Sequence, residues 1–255
     1  MSFLFIADLH LGPNTEQVTA SFLRLLERAQ GGFQHLFILG DLFEAWVGDD
    51  DDSDWLQPVE AALQHWTGQG ARLSLQQGNR DFLLGEAWAA RCAAALLPEE
   101  HVLDLPDGQP ALLMHGDSLC SDDVAYQNFR QMVRQPAWQA GILAQSLQAR
   151  HALARGLREQ SAAANANKAE NIMDVNAQAV QQVLARHAVD RLIHGHTHRP
   201  AHHRLSPSQQ RYVLGDWQPD GQAEVLMADT EGLRFGHWQG EDFSSSTLAA
   251  ARSET

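Results

Sequence analysis

Five times along this chain a short, largely apolar run ends abruptly in residues able to bind a metal ion. Phe3–Ala7 leads to Asp8 and His10, and His35–Leu39 leads to Gly40 and Asp41. Arg72–Leu75 precedes Gly78, Asn79, Arg80 and Asp81; Ala111–Met114 precedes His115, Gly116 and Asp117; Arg191–Ile193 precedes His194, His196 and His198. Runs this short do not make helices, and without polar alternation they read as strands buried on both faces. Between the first four lie helical patterns: Val18–Ala29 and Val59–Trp66 repeat apolar residues at i, i+3 and i+4, and Glu86–Leu97 is rich in alanine. Strand alternating with helix predicts an α/β layered fold, whose ligands bind beyond the carboxyl ends of the strands. A single Asp or Gly-Asn at a strand end is ordinary capping or turn chemistry. Five such ends in register are not explained that way.

The 255 residues suit one large domain, or a domain with a substantial insertion. A net charge of −14 argues against broad binding to a nucleic acid through a basic face. Two cysteines, Cys92 and Cys120, are too few for a disulfide framework and are not spaced as a C-x-x-C pair, so both read as buried thiols of a reducing compartment. The amino terminus has no basic region and meets Asp8 early, unlike a signal peptide. No run approaches the roughly 18–20 apolar residues that span a bilayer. A cytoplasmic protein, able to sit on a membrane surface, is expected. Histidine is abundant at 13 residues, whereas Lys168 is the one lysine.

Arg211–Leu214, Ala223–Met227 and Leu233–Trp238 read as later strands in antiparallel hairpins, the first two joined through the turn residues of Gly215–Gly221. The expected core is therefore 1–121 with 171–242, followed by a mobile tail over 243–255. Residues 122–170 differ: they are helical in pattern, rich in Ala, Gln and Arg, and broken at Pro136. This segment carries six basic and four acidic residues, net +2, which leaves the remainder at −16. The contrast marks a helical cap inserted into the core. Asp49–Asp52 with Asp54 lacks the offsets of a calcium loop and reads as a solvated acidic loop. His101, His151, His187, His202, His203 and His237 are read as surface or satisfied core residues, and His194 as structural.

Asp8, His10, Asp41, Asn79, His115, His196 and His198 offer oxygen and imidazole donors without sulfur, which suits Mn²⁺, Fe²⁺, Zn²⁺ or Mg²⁺. Seven donors exceed one catalytic ion but fit two that share a carboxylate. The order Asp8-Leu9-His10, Gly40-Asp41, Gly78-Asn79-Arg80-Asp81, His115, Gly195-His196-Thr197-His198 resembles the signature of the calcineurin-like metallophosphoesterases. That resemblance implies a β-sandwich flanked by helices. It also implies one ion on Asp8, His10, Asp41 and His198 and a second on Asp41, Asn79, His115 and His196, with Asp41 bridging. One position departs from the usual pattern, because Arg80 stands where His is common. A guanidinium stays protonated and holds phosphate oxygens rather than acting as a general acid. This favours a leaving group that needs little protonation, such as the phosphate of a nucleotide diphosphate sugar, over an alkoxide.

Within the family, Gly78-Asn79-Arg80-Asp81-Phe82-Leu83, Gly40-Asp41-Leu42-Phe43-Glu44-Ala45-Trp46, Ile172-Met173-Asp174-Val175-Asn176 and His194–Pro200 are similar to one branch, the bacterial UDP-2,3-diacylglucosamine diphosphatases of lipid A synthesis. The resemblance covers nearly the whole chain. It implies two Mn²⁺ ions per subunit and attack of a metal-bridging hydroxide at the α-phosphorus, giving UMP and 2,3-diacylglucosamine 1-phosphate. Asp41, Arg80 and His196 would be the catalytic residues, with Arg80 and His196 neutralising charge on the phosphoryl oxygens and the leaving phosphate. Asn79, Arg80, Asp123, Ser161, Asn165, Lys168 and His196 fall on substrate-binding positions. Ser161, Asn165 and Lys168 are spaced to share one helix face, and Ala137, Trp138, Ile142, Leu143 and Leu147 offer either a groove for acyl chains or packing between cap helices. A lipid-linked substrate implies peripheral attachment to the cytoplasmic face of the inner membrane, with the arginines of the cap, Arg150, Arg155 and Arg158, as the docking face. No nucleic acid and no protein partner is implied. The competing readings are a metallophosphodiesterase acting on a soluble nucleotide or nucleotide-sugar and, from another class, a scaffold of the same fold without catalysis.

Overall fold

The computed structural model describes residues 1–165, 174–246, 248 and 252–253. In chain order the elements are β1 (Phe3–Ile6), α1 (Glu16–Ala29), β2 (His35–Leu39), α2 (Gln57–Gly68), β3 (Arg72–Gln76), α3 (Glu86–Arg91), β4 (Ala95–Leu96), β5 (His101–Asp104) and β6 (Pro110–Leu113). Helices α4 (Val124–Val133), α5 (Pro136–Leu143), α6 (Leu147–Asn165) and α7 (Ala177–His187) follow. The chain continues with β7 (Arg191–His194), β8 (Ala201–Arg204), β9 (Gln210–Val213), β10 (Ala223–Asp229), β11 (Gly232–Trp238), β12 (Phe243–Ser245) and β13 (Arg252–Ser253).

The strands form two sheets, ordered β12-β11-β10-β1-β2-β3-β4 and β13-β8-β9-β7-β6-β5. Side chains alternate across a strand, so a strand without polar residues faces a core on both sides. Phe3 and Phe5 of β1, with Phe37 and Leu39 of β2, turn toward the second sheet and join Ala111, Leu113, Ile193 and Tyr212. Leu4, Ile6, Leu36 and Ile38 point the other way, into a core shared with Phe22, Leu25, Val59, Leu63 and Trp88 of α1, α2 and α3. Outside the second sheet, Leu112 and Leu192 join Val180, Val183 and Leu184 of α7. The layers run helix, sheet, sheet, helix, which is the expected sandwich flanked by helices. Strands β1 to β4 are mutually parallel, as are β6, β7 and β9. Their carboxyl ends carry the donor residues.

Three local expectations are corrected. The alanine-rich segment stops being helical at Arg91: Ala93 takes a left-handed conformation, and Ala95–Leu96 pair with β3 instead. β9 and β10 do not form a hairpin. β9 lies between β7 and β8, β10 pairs with β1 and β11, and the intervening segment crosses between sheets with Trp217 donating its backbone N–H to the Asp8 carbonyl. The stretch expected to be a mobile tail begins with a strand, because Phe243 packs on Trp238 and Phe33 while β12 pairs with β11.

Helices α4, α5 and α6 occupy the expected insertion. Pro136 is the first residue of α5, where the N–H it lacks has no intrahelical partner to lose. Among the described residues no helix is long and apolar enough to cross a membrane.

Candidate metal centre

All seven donors converge where the carboxyl ends of the two sheets meet. Asp8 and His10 follow β1, Asp41 follows β2, Asn79 follows β3, His115 follows β6, and His196 and His198 follow β7. Five of them, Asp8, His10, Asp41, His196 and His198, have positive φ between 52° and 68°. That conformation is costly for residues other than glycine, and its concentration here marks a site where position outweighs backbone ease. Two glycines make the approach possible. A Cβ on Gly40 would lie 2.5 Å from His115 Nδ1, and one on Gly78 would lie 2.1 Å from Asp41 Oδ1.

The donors fall into two clusters. His10 Nε2 and His198 Nε2 face each other at 3.2 Å, with Asp8 Oδ1 3.4 Å from His198 Nε2. Asn79 Oδ1 lies 3.0 Å from His115 Nε2 and 2.8 Å from His196 Nδ1, and Asp41 Oδ2 lies 3.7 Å from His115 Nε2. Each buried carboxylate keeps one oxygen toward the centre. Asp8 Oδ2 accepts the His196 N–H at 2.9 Å, whereas Asp8 Oδ1 is buried without a hydrogen bond. Asp41 Oδ1 accepts the Arg80 N–H at 2.7 Å. Buried, unpartnered carboxylate oxygen beside imidazoles that face one another is the arrangement that cations resolve.

Electrostatics agree with that fit. Burial opposes a charge on Asp8, but the neighbouring imidazoles of His198, His115 and His10 bring its pKa down to about 2. Burial likewise disfavours a proton on His115, yet Asp41, Asp8 and Asp117 overcome it and raise the pKa to about 9. The carboxylates that hold this proton would hold a divalent cation in its place. His196 goes the opposite way: burial and the neighbouring His115 lower it to about 4, leaving a neutral ring with a lone pair to donate.

Several residues that orient the donors were not singled out from the sequence. Asp81, fully buried, accepts backbone N–H groups from Gly78 and Leu42 at 2.7 and 2.8 Å and so fixes the loops carrying Asp41 and Asn79. Burial first, and then Asp41, raises its pKa to about 6. Glu44 Oε2 lies 3.2 Å from His10 Nδ1, and Asp216 Oδ2 lies 3.6 Å from His198 Nδ1, each orienting a ligand ring from behind. Asp117 accepts the Tyr126 hydroxyl at 2.6 Å, and the Tyr126 ring stacks along His196. Asp81, Asp117 and Glu44 lie inside the quoted motifs, so their positions were signalled. Tyr126 comes from the cap and had no such signal. His194 is buried as expected, its Nδ1 2.9 Å from the Gly195 carbonyl oxygen; burial and Arg211 lower its pKa to about 3.

Beside the donors opens a cleft of about 570 Å³, walled by Phe82, Leu83, Phe129, Trp138, Ile142 and Leu157 and floored by Asp41, Asn79, Arg80, His196 and His198. Trp138 and Ile142 thus line the cleft, whereas Leu143 is 43% exposed and Ala137 faces solvent. Asp123 and Ser161 also line it, and Asp123 additionally caps α4 by accepting the Tyr126 N–H. The side chain of Asn165 and the whole of Lys168 lie outside the described residues. Arg80 Nη1 is buried without a hydrogen-bond partner, 3.9 Å from Glu44 Oε1.

Two of the three arginines expected as a docking face are engaged by the body. Arg150 is 3% exposed and forms paired bonds to Asp50 Oδ1 and Oδ2 at 2.7 and 2.5 Å while donating to the Val47 carbonyl at 2.6 Å. Arg158 pairs with Glu44 at 2.9 Å, Arg130 with Asp117 at 2.8 Å, and Arg134 donates to Gln77 and the Gly78 carbonyl. Of the expected trio, Arg155 alone is exposed. The acidic loop is not simply solvated either. Asp49 accepts the Gly85 and Trp88 N–H groups at the start of α3, Asp50 receives Arg150, and buried Asp51 lies 3.3 Å from His151. The positive segment is seated on acidic groups of the body.

The family model of the calcineurin-like phosphoesterases matches residues 1–200 of the chain. A UDP-2,3-diacylglucosamine hydrolase of Cellvibrio japonicus is 48% identical over 241 residues, covering 93% of this chain and 99% of that protein. Proteins with the same name from Serratia proteamaculans and Escherichia coli are each 47% identical, covering 91% and 92% of this chain and 98% and 99% of their own lengths.

Proposed function

The chain belongs to the calcineurin-like phosphoesterase family, and from that premise we propose that it hydrolyses the pyrophosphate of UDP-2,3-diacylglucosamine in lipid A synthesis, releasing UMP and 2,3-diacylglucosamine 1-phosphate. One observation carries the reading: an apolar cleft opens directly onto a cluster of candidate metal donors and the Arg80 guanidinium. A soluble nucleotide has no use for walls of Phe82, Phe129, Trp138 and Leu157, whereas two acyl chains need them. The relatives' shared name accords with this substrate.

Asp8, His10, Asp41 and His198 would hold one divalent cation, and Asp41, Asn79, His115 and His196 the other. Mn²⁺ is the proposed occupant of both. When bound, such a pair supplies Lewis acidity that makes water nucleophilic at neutral pH. Arg80, held in place by the bond from its N–H to Asp41, would take phosphoryl oxygens through its unpartnered Nη1. His196 stays neutral and so brings no proton to the leaving group at neutral pH. A departing sugar phosphate needs none, which suits an anhydride. Asp123 and Ser161 would hold the polar part of the acylated sugar, together with Asn165 and Lys168.

Collection of a lipid substrate calls for peripheral contact with the cytoplasmic face of the inner membrane. With Arg150 and Arg158 turned inward, the contact surface is proposed to be apolar: Val124, Met132 and Leu143 of the cap are 64%, 49% and 43% exposed. Loss of vesicle flotation in Val124→Asp and Met132→Asp variants is expected, and unchanged flotation would exclude this face.

Hydrolysis of UDP-2,3-diacylglucosamine in H₂¹⁸O tests the central reading. Label in UMP is expected, since attack falls on the phosphorus it retains. Equal kcat/KM on a UDP-sugar without acyl chains would instead favour the soluble-nucleotide reading. Absence of bound metal in the purified protein together with no turnover would favour the scaffold.

A further inference from the structure

A second cavity, of about 500 Å³, adjoins the apolar cleft, and the two cavities have His198 in common. It is built from the segment that crosses between the sheets and from β10 and β11. Its character is opposite to that of the first. The wall carries Asp216, Gln218, Asp220, Gln222, Glu224 and His237 and, among the described residues, no lysine or arginine and no large apolar side chain.

The polar groups are ordered. His237 Nδ1 lies 2.9 Å from Glu224 Oε1, and His237 Nε2 lies 3.0 Å from Gln222 Oε1. Gln222 Nε2 in turn donates to Asp220 Oδ2 at 2.9 Å, and Gln218 Nε2 to Asp216 Oδ1 at 3.3 Å. The Gln222 carboxamide is therefore fixed in one orientation from both ends. Glu224 Oε2 is buried and makes no hydrogen bond. Asp216 reaches back to His198, so this wall is continuous with the metal donors.

We infer that this cavity is the subsite for the nucleoside of the substrate, with Gln218 and Gln222 facing the base and Asp220 and Glu224 the ribose hydroxyls. The inference rests on the proposed substrate, whose two ends differ as the two cavities do. Acyl chains need apolar walls and the pyrophosphate needs cations, which the first cleft supplies. A uridine is uncharged, carries hydroxyl and imide donors, and suits carboxylate and carboxamide acceptors. A wall of three carboxylates rejects a further phosphate but not a neutral sugar and base. In-line displacement places the leaving sugar phosphate opposite the attacking water, so the nucleoside, attached through a third oxygen, must depart sideways from that axis. A cavity that meets the cleft at a metal ligand lies in such a direction.

The test is binding to the full-length, metal-loaded protein, with UMP, uridine and inorganic phosphate as probes. UMP is expected to bind at least about tenfold more tightly than phosphate, the scale of one or two net hydrogen bonds. Gln222→Ala and, separately, Gln218→Ala should each weaken UMP several-fold while shifting phosphate affinity much less. Gln218 is exposed, so its variant keeps the test valid should Gln222→Ala disturb the hairpin. Equal affinity of UMP and phosphate, or variants that bind UMP like the wild type, would overturn the subsite. Failure to hydrolyse UDP-2,3-diacylglucosamine while UMP binding still depends on both glutamines would instead overturn the substrate assignment and leave the nucleoside site standing. UMP density in the acyl cleft, in crystals grown with UMP, would refute the location.

Discussion

Individual side chains here do separable jobs, and two substitutions divide them. Arg80 contributes its backbone N–H to Asp41 and its guanidinium to the cleft, and a change of side chain leaves the first in place. Arg80→Ala should lower kcat by about 100-fold or more, the usual loss when one donor to a developing anion is removed. Metal content by elemental analysis should stay at the wild-type level; loss of metal would show that Arg80 supports the ions instead. Asp41 stands between the clusters, near both Arg80 and His115. Asp41→Ala should abolish turnover and reduce bound metal while the circular dichroism spectrum remains that of a folded chain. Wild-type activity in this variant would refute a centre built on two ions. All seven donors were legible in the sequence because each sits at a strand end. Tyr126, stacked on His196, was not, because that contact exists only once α4 is laid across the site.

Among elements, the cap shows how a charge pattern acquires a different meaning in three dimensions. Four of its arginines face inward: Arg130, Arg134, Arg150 and Arg158 all bind groups of the body. The most buried, Arg150, fastens the start of α6 to Asp50 and to the Val47 carbonyl beneath the cleft. Arg150→Met keeps the aliphatic stem and removes the clamp. KM for the acylated substrate should rise by about tenfold, equivalent to about 1.4 kcal/mol, and proteolysis between α5 and α6 should accelerate. A variant with unchanged KM and unchanged proteolysis would show that the clamp does not position the cap. The expectation of a boundary at residue 122 rests on composition alone. The pairing of Asp50 with Arg150, 100 positions apart, does not, since nothing local distinguishes an acid that meets an arginine from one that meets water.

For the molecule as a whole, stability should respond to metal and to pH. Ions that bind the folded centre and not the unfolded chain stabilise it by mass action. Mn²⁺ at about 100 times its Kd should add about 2.7 kcal/mol, seen as a rise in Tm that a chelator reverses. No shift with Mn²⁺, but a shift with Zn²⁺ or Fe²⁺, would reassign the ions. His35 contributes one part of the pH dependence, alongside buried His194, whose pKa is lowered in the same direction. His35 is 8% exposed, stacks on Phe37 and meets Ser74 Oγ at 2.8 Å. Burial, with Arg72 and His101 nearby, lowers its pKa from 6.5 to about 4. Between those values the unfolded chain binds a proton that the folded one refuses, so stability falls as pH drops. The share of His35 in the loss between pH 7 and pH 5 should be about 2 kcal/mol. Urea unfolding at the two pH values checks this, and His35→Gln should reduce the difference by that share; an equal difference in that variant would assign it to other groups.

The sequence by itself determined the layered fold and pointed to the candidate donor residues and to a segment of distinct composition at 122–170. These follow from periodicity and from residue types at strand ends, properties local to each run. Tertiary structure decided what those parts face. It separated β9 from β10 into different sheets, made Phe243–Ser245 a strand by supplying β11 and Trp238 as partners, and turned the acidic loop into the seat of the cap. It also placed an apolar cleft and a polar cavity next to each other, with His198 in common. Each of these depends on contacts between residues far apart in the chain, and the free energy of such a contact belongs to the pair rather than to either residue.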